Sequence, residues 1–87
     1  ELEPIRKSDA NKFDIDHGVK IVNLNNEAIE RTYGVGNGDI ILAVEDQKVY
    51  SSEEVDQLLK KYQNKAYFEL QILTKSGKQG YIRVRSD

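Results

Sequence analysis

Asp14, Asp16 and His17 form the one local cluster in this sequence whose side chains could hold a metal ion or move a proton. Such chemistry needs imidazole and carboxylate groups brought together from separate elements at fixed distances. These three residues share one polar loop, and no further ligand stands at metal-site spacing. The sole histidine of the chain sits beside Gly18 rather than in a nucleophile-bearing motif. A solvated loop accounts for the cluster better than a site does. Gly34-Val35-Gly36-Asn37-Gly38 has the glycine density of a phosphate loop, but such a loop follows a strand and opens a helix. Here a helical pattern precedes and a strand pattern follows, so the glycines read as a connection that needs positive φ angles. Lys75-Ser76-Gly77-Lys78 lacks phosphate-loop spacing and reads as a solvated turn. The sequence assigns no catalytic residue, no metal ligand and no small-molecule cofactor.

Binding is better represented than catalysis. Ser52, Asp56, Leu59 and Gln63 recur at i, i+4, i+7 and i+11, which places them along one flank of a helix. The polar shoulder of any surface helix has the same spacing. The alternative is one wall of a groove whose other wall is an edge strand at Leu2-Glu3-Pro4-Ile5, where Pro4 lacks the amide hydrogen that a central strand needs.

The elements that must position these residues follow from periodicity. Arg6 to Gly18 reads as an irregular polar loop with one helical turn at Ala10 to Phe13, capped by Ser8-Asp9. Val19 to Leu24 is dense in β-branched and aliphatic residues and predicts a strand. Asn26 to Gly34 predicts a short helix with Ile29 and Tyr33 on one face. Ile40 to Val44 predicts a buried strand, followed by a tight turn at Glu45 to Lys48 and an extended piece at Val49-Tyr50. Ser51 and Glu54 make a capping box for a longer helix whose apolar stripe is Val55, Leu58, Leu59 and Tyr62. Tyr67 to Leu73 and Tyr81 to Arg85 alternate as a final hairpin, with Phe68, Leu70, Ile72, Ile82 and Val84 inward.

Bulk composition narrows the function classes. The chain has 87 residues, 38% hydrophobic and 32% charged, enough for one core and a stability of roughly 5 kcal/mol or less. It has no cysteine, so no disulfide staples it. A net charge of -2 argues against nucleic acid, which a clustered basic face would serve. The longest apolar run, Ile40 to Val44, is far short of the ~20 residues a membrane-spanning helix needs. Opening at Glu1 without a methionine or a signal segment, the chain reads as an excised fragment of a larger protein. The expected architecture is α+β and mostly β: a small antiparallel barrel or sandwich of five to six strands capped by two helices.

Gly34-Val35-Gly36-Asn37-Gly38-Asp39-Ile40-Ile41 resembles the glycine, aliphatic, two residues, Gly-Asp, any, Ile signature of bacterial PDZ domains. The elements around it run in the matching order over nearly the whole chain, residues 1–87 forming one domain. Leu2-Glu3-Pro4-Ile5, a helical polar loop and then Asp16-His17-Gly18-Val19-Lys20-Ile21 is similar to the second PDZ domain of Do/HtrA-type serine proteases. The resemblance implies a module that binds peptides or unfolded protein segments by strand addition. Leu2, Glu3, Pro4 and Ile5 would line the added strand, and Ser52, Asp56 and Leu59 would receive its side chains, with polar or basic residues tolerated. The loop that holds a peptide carboxylate would lie at or before Glu1. By the same resemblance the parent is a periplasmic or cell-envelope protease involved in protein quality control, whose protease domain in the same polypeptide is a second partner. Two rivals remain open here: a structural or oligomerising module with a closed groove, and a PDZ domain from a tail-specific, intramembrane metallo- or aspartic protease.

Overall fold

The computed structural model of the chain describes residues 2–22 and 35–85. The expected helix from Asn26 to Gly34, and Leu24 at the end of its strand, lie outside the described residues. The described elements are β1 (Leu2–Pro4), α1 (Lys7–Phe13), β2 (Val19–Ile21), β3 (Ile40–Val44), β4 (Gln47–Lys48), α2 (Ser52–Lys61), β5 (Tyr67–Leu73) and β6 (Gln79–Arg85). The strands form one antiparallel sheet in the order β1-β2-β3-β5-β6, with β4 also paired to β3. The fold is thus α+β and mostly antiparallel β, as expected. The sheet is not closed into a barrel: among the described residues β1 and β6 are its two ends.

β3 is the centre of the sheet, and all five of its residues are buried. A run of β-branched and aliphatic side chains with no polar face is stable only where both faces are covered. An irregularity in the pairing with β5 between Ile41 and Ala43 lets Ile41 and Val44 reach the same face. They join Val19, Val55, Phe68 and Ile72 in the main core, against which Leu2, Leu58, Leu59 and Tyr62 pack. Ile40 and Leu42 point the other way and meet Leu73, Ile5, Phe13 and Ile15 in a second, smaller cluster.

That second cluster corrects the reading of Arg6 to Gly18 as an irregular loop. α1 runs for seven residues, its N-cap is Arg6 rather than Ser8, and the Arg6 N–H donates to the Asp9 carboxylate at 3.3 Å. The chain then reverses at Asp14 in the left-handed region (φ 55) and lays Phe13 and Ile15 over the back of β3. Gly18 has to be glycine, because a Cβ there would stand 2.6 Å from Ile40 Cγ2 at a φ of +140.

α2 starts as its sequence dictates. Ser51 accepts a hydrogen bond from the Glu54 N–H at 3.2 Å, with Glu53 and Glu54 in the first turn and Lys60 and Lys61 in the last. Instead of the reciprocal bond of a full capping box, the Glu54 carboxylate receives the Ser51 hydroxyl at 3.5 Å. The β3–β4 turn is tighter than expected: Glu45 (φ 49) and Asp46 (φ 66) make a two-residue turn of the mirror-image type that suits hairpin twist. The paired strand is consequently Gln47–Lys48, while Val49 is fully buried and Tyr50 is exposed. The turn is fastened to the end of α2, Lys65 donating to the Glu45 carboxylate (2.9 Å) and the Gln47 amide to the Tyr62 hydroxyl (2.7 Å).

Candidate functional site

The candidate site is the strip between β1 and α2. β1 pairs with β2 along one side and ends the sheet on the other, and α2 lies against it. Leu2 from the strand and Leu59 from the helix are both half-buried on the main core, so one apolar floor joins the two walls.

The expected site residues are distributed unevenly over this strip. Glu3 stands opposite Lys20 and pairs with Arg6 at 3.8 Å, an exposed ion pair of little energetic weight. Pro4 is exposed at the end of β1, opposite Val19. Ile5 belongs to the second cluster, on the face away from Leu2, and so anchors the strand from behind. Ser52 opens α2 half-buried, and Asp56 is exposed one turn later. Gln63 falls beyond the end of α2 at Lys61, so the flank of aligned residues stops at Leu59.

The hydrogen bonds of β2 determine what the open edge offers. Ile21 donates its N–H to the Asp39 carbonyl (2.9 Å) and accepts from the Gly38 N–H (2.9 Å), so its peptide groups turn toward β3. Paired and unpaired positions alternate along an antiparallel strand, so Lys20 turns toward β1 and Glu3 turns back to Lys20. Leu2 and Pro4 therefore direct their backbone groups to the open edge. Beyond them, the Arg6 N–H is taken by Asp9 and its carbonyl accepts from the Ala10 N–H at 3.0 Å. An incoming strand would find one donor, the Leu2 N–H, and two acceptors, the carbonyls of Leu2 and Pro4.

His17 lies near this strip, just before β2. Its Nδ1 is 2.8 Å from Asp16 Oδ1, and its ring meets the Tyr50 ring at 5.7 Å and 49°. That hydrogen bond is the main reason the Asp16 carboxyl lies below its ordinary value. Asp14 only terminates α1. Among the described residues, no three histidine, cysteine, aspartate or glutamate side chains converge on a metal-sized site. A surface depression of about 420 Å³ between Glu45, Lys65, Tyr67, Glu69 and Arg83 contains none of the expected site residues, and its charges are paired as Glu45–Lys65 and Glu69–Arg83.

Sequence reasoning missed one residue that shapes this end of the molecule. Asp39 is buried and accepts from the Gly36 N–H (2.9 Å) and from the Lys75 N–H (3.0 Å), fastening the glycine loop to the β5–β6 turn. Its place in the Gly38-Asp39 pair was the available signal.

Comparison with protein families and with curated proteins gives no match. Among solved structures the chain is similar to the HtrA3 PDZ domain bound to a phage-derived ligand, FGRWV. The TM-score is 0.74 at 14% sequence identity, and the match covers 98% of this chain and 78% of that one. Together with the strand order and the helix beside β1, this likeness shows that the chain has the PDZ fold.

Proposed function

We propose that the chain is a non-catalytic peptide-binding module that takes up an extended peptide or unfolded segment as an added antiparallel strand on β1, beside α2. The observation that carries this reading is a strand edge unpaired among the described residues and a helix flank, both standing over one apolar floor. The similar HtrA3 domain is bound to a short peptide ligand, which supports it. Leu2 and Pro4 supply the backbone edge, Leu59 the apolar contact, and Ser52 and Asp56 a polar wall that favours polar or basic ligand side chains. With one donor and two acceptors on the edge, affinity is micromolar, about -8 kcal/mol.

The finer assignment is to a Do/HtrA-like serine protease of the cell envelope, in which this domain recognises substrate or regulates a protease domain of the same polypeptide. It rests on the resemblance carried by Gly34 to Ile41 and Asp16 to Ile21. An upstream Gly-Asn-Ser-Gly-Gly nucleophile segment in the open reading frame would support it. A metallo- or aspartic protease signature there would replace it. The missing Pro4 donor favours one other reading, a structural module whose groove is closed by its own protein.

Fluorescence anisotropy with a library of C-terminal peptides, free and amidated, separates the two. Peptide binding should weaken at least tenfold in Asp56→Lys for basic ligands and in Leu59→Asp for all ligands, about 1.4 kcal/mol or more. Circular dichroism should show both variants folded. Silence across the library, or affinity untouched by Asp56→Lys and Leu59→Asp alike, would remove the peptide-reader proposal.

A further inference from the structure

Among the described residues, the opposite end of the sheet carries a second unpaired edge, built quite differently from β1. β6 is seven residues long and pairs with β5 through seven successive positions without an irregularity. β1, by contrast, has three residues, one of them Pro4. Long regular edges are templates for further pairing, and proteins usually blunt them with proline, charged side chains, lysine above all, or a bulge. Gln79-Gly80-Tyr81-Ile82-Arg83-Val84-Arg85 contains no proline, lysine or bulge, and its charges are two arginines, Arg83 and Arg85, of one sign.

The direction of its free backbone groups follows from neighbouring hydrogen bonds. The Glu69 carbonyl accepts from the Glu45 N–H at 2.8 Å, so Glu69 turns toward β3, and by alternation Phe68, Leu70 and Ile72 turn toward β6. Their partners Val84, Ile82 and Gly80 turn back to β5. Gln79, Tyr81, Arg83 and Arg85 therefore present their N–H and C=O groups to the open edge.

We propose that this edge is a self-association surface, and that its partner is the β6 strand of a second copy, antiparallel about a two-fold axis at Ile82. That axis sets Tyr81 opposite Arg83 and Gln79 opposite Arg85, each pair occurring twice, so all four outward-turned residues meet outward-turned residues. No like charges face each other, and Tyr81, 62% exposed, gains a cationic neighbour on the outer face. Ile82, half-buried on the main core, is covered by its own counterpart. Moving the axis to residue 83 would set Arg83 against Arg83, and moving it to residue 81 would leave Arg85 without a partner. Gly80 fits this use, since a Cβ there would meet nothing within 4 Å among the described residues, so the space beside it is open to the facing Val84. This surface does not depend on the β1–α2 strip.

Sedimentation equilibrium of the 87-residue chain from low to high micromolar concentration tests the proposal. A monomer–dimer equilibrium is expected. Tyr81→Arg, which sets arginine against arginine at both pairs, should weaken dimerisation at least tenfold. Tyr81→Glu, which replaces each pair by an ion pair, should preserve or tighten it. Both variants should keep the wild-type circular dichroism spectrum. A chain that stays monomeric, or a dimer indifferent to Tyr81→Arg, would overturn the proposal, as would equal losses in Tyr81→Arg and Tyr81→Glu.

Discussion

Asp39 stabilises the fold with two carboxylate oxygens, which accept from the backbone N–H groups of Gly36 and Lys75 at 2.9 and 3.0 Å. Hydrogen bonds to a charged group contribute more than neutral ones, about 1.5–3 kcal/mol each. Asp39→Asn keeps the shape but turns one acceptor into a donor facing another donor. The expected loss is about 2 kcal/mol in urea unfolding, and a loss within error would show that the clamp is idle. Asp16 illustrates a surface effect without such weight. Its carboxyl is held below the ordinary value chiefly by the hydrogen bond from His17. A depressed carboxyl contributes its stability above the unfolded-state pKa of about 3.9 and loses it as pH falls through the lower folded value. Carboxyl-carbon NMR titration should therefore find the Asp16 midpoint below that ordinary value, and His17→Phe should raise it. An unmoved midpoint would contradict the hydrogen bond as its cause. The role of Asp39 could not be read from residue type alone, because Lys75 lies 36 residues away and only the fold brings it near, whereas Asp16 has its partner beside it in the sequence.

β1 and α2 differ in how much of them the sequence disclosed. The helix was legible because its signals are local: Ser51 and Glu54 are three residues apart, and Val55, Leu58, Leu59 and Tyr62 repeat within the helix. β1 was legible as an edge from Pro4, but the direction of its peptide groups was not, since that is fixed by Ile21 bonding to Gly38 and Asp39. Such pairing crosses long stretches of sequence and leaves no local trace. The resulting geometry makes a prediction at this scale. Pro4→Ala restores an N–H pointing to the open edge without disturbing the bonds between Glu3 and Lys20. One added backbone hydrogen bond contributes roughly 1 kcal/mol, so peptide affinity in anisotropy titrations should rise about fivefold. An unchanged or lower affinity would mean that a bound strand does not reach Pro4.

At the scale of the whole molecule, the sequence conveyed the α+β class and most of the succession of the described elements along the chain, because alternation, turns and caps all point the same way. It did not convey that the sheet stays open or that the back of β3 needs its own cover. Five consecutive buried residues require apolar partners on both faces, and the second set comes from Ile5, Phe13 and Ile15, scattered through a segment that looks polar overall. Those residues do more than shield Ile40 and Leu42. Ile5 directly follows β1, so the small cluster behind the sheet holds the strand whose other side forms the candidate groove. Phe13→Ala removes a half-buried ring from that cluster, and a loss of about 2 kcal/mol is expected, below the 3–5 kcal/mol of a fully buried phenylalanine. The loss should be local as well as global. Hydrogen exchange at the Glu3 amide, which turns toward Lys20, should accelerate more than exchange within the β5–β6 hairpin, and peptide affinity should fall with it. If protection at Glu3 and in the hairpin declined equally, β1 would be held by the sheet alone, and the rear cluster would have no part in positioning the groove.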